Sequence, residues 1–166
     1  MPAKFITPPL PIWGLTNAGQ AEQLLLECFN NSAAARSHGD LVVVDNSVGQ
    51  MPAAQASITG AVTTTTTTPD AKVLGVISTS GDPSPTAGQP TIPIGNVCFV
   101  AVMGNARVNA AGNAVAAGNT LISSATGGAA TGAAFPTPAA NVGATIGTAL
   151  EAKDAANTLR ALLRPS

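Results

Sequence analysis

Side chains able to do acid–base, nucleophilic or metal chemistry are scarce in this chain and widely spaced. His38 is its one histidine, set in Ser37-His38-Gly39-Asp40, where glycine and aspartate mark a turn. Any charge-relay or imidazole metal site depends on that residue alone, and its neighbours favour an exposed turn histidine over a general base. Cys28 and Cys98 lie in the apolar runs LLLECF and NVCFVAV. Two cysteines are too few for a disulfide framework, so buried thiols are expected. Neither C-x-x-C nor H-E-x-x-H occurs, and Cys28, Cys98 and His38 lack zinc spacing. Asp40, Asp45, Asp70 and Asp82 are scattered without the spacing of a calcium loop. Gly127-Gly128…Gly132 has no following lysine to make a phosphate loop and reads as a flexible loop. The expectation is a protein with no catalytic site, no metal and no cofactor.

Composition narrows the classes further. The net charge is −1 and charged residues are 9% of the 166, which argues against a nucleic-acid binder, since that needs a basic footprint. No apolar run approaches the ~18 residues of a membrane span. Lys4 is followed by prolines rather than an apolar stretch, so no secretory signal is expected. Of the 45% hydrophobic residues, 32 are alanine, while Leu, Ile, Val and Phe number 37. That share lies just above the ~20% below which disorder is expected. Each buried residue therefore removes little apolar area, and oligomerisation is expected to supply part of the stability.

The elements that must position these residues read as short strands. Residues 41–45, 72–79, 96–103, 106–109, 119–123, 142–150 and 157–164 carry β-branched or alternating apolar residues between Gly, Asn and Pro. Gly104-Asn105 is expected to turn the strand at 96–103 into the next. The stretch 17–30 is open between helix and strand, since Asn17 and Gln20 fit a capping box, and 152–163 also suits a short helix. Thr63–Thr68 reads as an edge strand or a long exposed loop, and Gly127–Pro138 as a surface loop.

A repeat underlies this order. Gly39-Asp40-Leu41-Val42 is similar to Gly118-Asn119-Thr120-Leu121, and each unit closes on a glycine-bearing strand, at Gly75 and at Gly147. A tight turn opens each unit, and the later glycine allows two backbones to approach. The fold expected is all-β, a small barrel, tulip-like domain or sandwich built from two similar β-units at 38–80 and 97–151. A closing segment at 157–165 completes one domain spanning 21–166.

Residues 1–20 differ in kind. Pro8, Pro9 and Pro11 exclude a helix or central strand, yet Phe5, Ile6, Leu10, Ile12, Trp13 and Leu15 make the segment apolar. A disordered tail should be polar. This extended N-terminal arm is expected either to fold back on its own domain or to dock on a neighbouring subunit. Phe5, Ile6, Leu10, Ile12 and Trp13 are its contacts, with Trp13 as the anchor.

The segments VAVMGNARVNAAGNAVAAGNTLISSATGGAA, ATIGTALEA and LRALLRP, between 97 and 165, resemble the strand pattern of tailed-bacteriophage capsid decoration proteins, also called cement or head-stabilising proteins. Gly39 to Ser78 is similar to the same theme. The resemblance implies a structural virion protein on the outer capsid surface, made in the host cytoplasm. It implies the major capsid protein and further copies of itself, as a homotrimer, for partners, with no role for nucleic acid or membrane. A related pattern in tail-fibre and tail-associated modules supplies the alternative, an adhesion module.

Overall fold

The computed structural model describes residues 23–47, 60–78, 91–133 and 144–164. Every regular element among them is a strand: β1 Leu24–Asn30, β2 Leu41–Val44, β3 Gly60–Thr63, β4 Val73–Ser78, β5 Val97–Asn109, β6 Thr120–Ser123, β7 Ala130–Ala133, β8 Gly147–Ala149 and β9 Thr158–Leu163. The ambiguous stretch at 17–30 is a strand over its described part. Its leucines find ladder partners along β5, from Leu24 opposite Met103 to Phe29 opposite Val97. The segment at 157–164 is likewise a strand, with Leu159, Ala161 and Leu163 buried in alternation.

Three expectations are corrected. Gly104-Asn105 is not a turn: β5 runs unbroken for 13 residues. Residues 97–103 pair with β1 and residues 104–109 with β9, so a ladder continues on both sides and the chain has no cause to reverse. Gly104 absorbs the handover at φ +96. Gly127–Pro138 is not wholly a surface loop, because β7 pairs with β6 and buries Ala129, Ala130 and Ala133. The threonine run contributes Thr63 to β3, an inner strand between β1 and β2. Thr65 is buried, with its hydroxyl donating to Asp70 Oδ2 at 2.6 Å.

The strand order β1-β3-β2-β4-β5 returns to β1, closing a five-strand barrel. From the second half of β5 the order continues β9-β8-β6-β7. The register makes the two halves equivalent. Val42 lies opposite Gly75 as Leu121 lies opposite Gly147, and Val76 opposite Ala101 as Thr148 opposite Leu162. The turns agree as closely. Ser37 N donates to Asp40 Oδ2 at 3.0 Å, and Ala116 N to Asn119 Oδ1 at 2.9 Å. Gly39 N donates to Ile77 O and Gly118 N to Ala149 O, both at 2.8 Å. Gly39 and Gly118 stand at φ +87 and +83, a region open to glycine at little cost. The unit therefore runs further than 38–80 and 97–151. The first half of β5 ends unit one and its second half begins unit two, which β9 completes.

The cores repeat position by position. Cys28, Val42, Val62, Ile77, Cys98 and Val100 fill barrel one. Their counterparts Val108, Leu121, Ala130, Ala149, Leu159 and Ala161 lie together in the core of unit two. Three places grow and three shrink, so filling is exchanged among neighbours, the kind of change cores tolerate. Leu41, Val76 and Ala101 join the second core from the outer wall of barrel one. This is why β2 is buried at Leu41, Val42 and Val43 alike instead of alternating.

Gly75 and Gly147 are the closest approaches. A Cβ at Gly75 would lie 2.2 Å from Ala101 O, and one at Gly147 2.3 Å from Leu162 O. Gly75→Ala or Gly147→Ala is expected to destabilise by at least ~3 kcal/mol, since backbone rather than a side chain must yield. Gly60→Ala, where nothing lies within 4 Å, should change stability by under ~1 kcal/mol. Urea unfolding of the three variants checks the contrast.

Candidate functional site

The residues with the most chemical potential converge at the seam between the units. His38 is at a turn as expected but is 7% exposed, not an open surface residue. The reason is the seam itself: Gly39 O accepts from Asn109 N at 2.9 Å, so the turn is pressed against the end of β5. Asp40 accepts from Ser37 N at 3.0 Å and from Asn109 Nδ2 at 2.9 Å, with Arg36 Nη1 4.0 Å away. Burial raises the Asp40 carboxyl above the ordinary range, against the lowering effects of the Ser37 amide, Asn109 and Arg36. Arg36 Nε in turn donates to Ser32 Oγ at 3.0 Å, and Asn30 Nδ2 to Ile92 O at 2.9 Å. Asn30, Arg36, Asp40 and Asn109 are each spent on holding a loop, and together they act as a clamp.

The two thiols are buried, as their runs predicted, and register adds that they face each other: Cys28 lies opposite Cys98 across β1 and β5. Burial, with Glu27 nearby, pushes the Cys28 thiol up to about 11. Burial, with Cys28 nearby, pushes Cys98 to about 12. Thiols held protonated are poor nucleophiles and poor metal ligands. Among the described residues no group of three His, Cys, Asp or Glu gathers as a metal site.

Four charges of unit two, Arg107, Glu151, Asp154 and Arg160, neutralise one another. Arg107 and Arg160 are opposite each other in register. Arg107 contacts Asp154 and lies 3.5 Å from Glu151, and Arg160 Nε donates to Glu151 Oε2 at 2.9 Å.

What the sequence reading missed is an apolar outer face on barrel one. Val97, Phe99 and Met103 are exposed along β5, Phe99 at 47%, with Ile94 exposed in the turn before it. Their β1 partners are Phe29, Glu27 and Leu24. The alternation Val97-Cys98-Phe99-Val100 carried the signal, an apolar residue on both faces. Exposed apolar patches of this kind mark interaction surfaces. Phe5, Ile6, Leu10, Ile12 and Trp13 lie outside the described residues. Comparison with known protein families, characterised proteins and solved structures finds no match to this chain.

Two outcomes follow. Asp40→Asn, which installs the residue of the second turn, keeps the acceptor for Ser37 N but sets an amide NH2 against the Asn109 Nδ2 donor, and is expected to cost about 1 kcal/mol. Asp40→Ala strands Ser37 N and Asn109 Nδ2 and should cost ~1–3 kcal/mol, read by thermal unfolding. For the thiols, the folded values lie above the ordinary 9.0, so between pH 9 and 11 the unfolded chain binds fewer protons. Stability is then full below pH 9 and falls as pH rises, by up to ~1.4 kcal/mol per unit for each thiol. The double change Cys28→Val with Cys98→Leu, copying Val108 and Leu159, should remove that slope in denaturant titrations.

Proposed function

We propose that this protein is a structural virion component that binds the outer surface of an assembled phage capsid and stabilises it by bridging neighbouring capsid subunits. It works as a homotrimer and without catalysis. The observation that carries the reading is the outer face of β1 and β5, where Val97, Phe99 and Met103 stand exposed and Glu27, opposite Phe99, is the one charged residue among them and their β1 partners. Such a face is suited to a dry protein contact, since its apolar area is removed from water and few charges must be desolvated. The resemblance of residues 97–165 to capsid decoration proteins supplies the partner, the major capsid protein.

The mechanism is binding free energy alone. Internal pressure after genome packaging pulls capsid subunits apart, and a clamp across several of them adds interface that must be lost first. A standard interface buries ~1,600 Å², and three linked copies gain through effective concentration. The arm residues Phe5, Ile6, Leu10, Ile12 and Trp13 extend the reach of each copy, since twenty extended residues span roughly 60 Å.

Full-length protein is expected to co-sediment with undecorated capsids and to raise the temperature at which the shells break. Phe99→Ser should weaken binding at least ~10-fold, the loss typical of an aromatic anchor, and deletion of residues 2–16 should abolish the stabilisation. Unchanged binding by both variants overturns the proposal. Gold-labelled protein found at the tail of intact particles would instead favour the adhesion module.

A further inference from the structure

The equivalence of the two units exposes one place where they differ. In unit two, Ala106, Ile146 and Leu163 are 2%, 7% and 2% exposed, closed in beneath the outer wall of barrel one. Register gives their counterparts in unit one as Leu26, Leu74 and Val102. These three are only half-buried, and they line a cleft of about 230 Å³ at the mouth of barrel one. Ile146 and Leu163 of unit two also line it, and Thr145 and Arg164 are its polar members. The same core that is capped in one unit is uncapped in the other among the described residues.

We propose that in the protein free of any capsid this cleft seats the chain's own N-terminal segment, residues 5–15, with the Trp13 indole filling it, a docked state that the arm leaves when it extends to a capsid. The position of the chain favours this occupant. Gln23, where the described chain begins, donates through Nε2 to Asn105 O, three residues along β5 from Val102, and Leu26 follows three residues later on β1. Nine residues lie between Trp13 and Gln23, a reach of up to ~36 Å. They include Gly14, Asn17 and Gly19, the residue types that reverse a chain. Closing so short a tether costs little and gives a high effective concentration. Chemistry agrees with position. Apolar walls from Leu26, Leu74, Val102, Ile146 and Leu163 match the body of an indole, and the Arg164 guanidinium is suited to its face.

The inference stands without any capsid and is tested without one. Trp13 is the only tryptophan, so intrinsic fluorescence reports its surroundings directly. In the full chain the emission should be that of a buried indole, weakly quenched by acrylamide and unchanged on dilution. Val102→Asn, and separately Leu74→Asn, should shift the emission to that of an exposed indole and raise quenching severalfold while far-ultraviolet circular dichroism stays native. If either variant fails to fold, the chain lacking residues 2–16 serves instead. It should bind an apolar dye that a peptide of residues 3–16 displaces and the same peptide with Trp13→Ala does not. An exposed indole in the full chain overturns the proposal, as does burial insensitive to both cleft variants with no dye displacement. Burial lost on dilution, with a mass that falls in step, overturns the intramolecular seat in favour of a second copy.

Discussion

Strand β5 is shared between two barrels, and the rest of the molecule is arranged around that constraint. Its first half must present Cys98 and Val100 to one core while its second half presents Val108 to another. The strand can meet both demands only by keeping its ladder through Gly104, where the partner changes from β1 to β9. The units are thereby fixed to each other by covalent backbone and by continuous hydrogen bonding, with no flexible joint at β5. The seam residues follow from this. Gly39 and Asn109 meet because the opening turn of unit one is carried to the end of the shared strand.

A chain so rich in alanine and glycine gains little apolar burial per residue, and it offsets that shortage by close backbone approach. At Gly75 and Gly147 neighbouring strands come nearer than any side chain permits, so dispersion contacts between backbones replace those that larger side chains would make. Exchange of volume within the two cores works to the same end. Leu121 and Leu159 compensate for Ala149 and Ala161 in unit two, where Ile77 and Val100 fill the corresponding places in unit one.

How much of this was legible in the sequence depends on whether the constraint was local. The paired turns at Gly39 and Gly118, and the closing glycines at Gly75 and Gly147, were readable because each is a backbone requirement written into a single residue type. β3 and β7 were not, since GAVT and ATGA have little strand character of their own and exist because a neighbouring strand offers a ladder. Gly104-Asn105 misled for the opposite reason: the local hairpin signal was strong, and pairing on both flanks overrode it. Burial of His38 was hidden because the contact that presses its turn inward, Gly39 O with Asn109 N, joins residues far apart in sequence. As for the candidate site, the thiols were placed correctly from their apolar runs, but Phe99 was read only as strand and not as exposed face.

The two units share a skeleton and have diverged in what they show to solvent. Along the outside of β5 the change is visible within one strand: Val97, Phe99 and Met103 in the first half, then Arg107 in the second, held by Asp154 and Glu151. Unit two pairs Arg107 and Arg160 with Asp154 and Glu151 and encloses its mouth under unit one, with Leu150 as its exposed large apolar residue. Unit one leaves apolar groups uncovered twice, on the outer wall and at the cleft beside Leu26. A fold of limited core volume has no stability to spare for exposed Phe and Leu, so two such places in the same unit are more economically explained by contacts than by chance. Both lie on β1 and the first half of β5, the strands nearest the point where the apolar arm joins, and that proximity puts the molecule's unfinished surface within reach of the large side chains of residues 5–15.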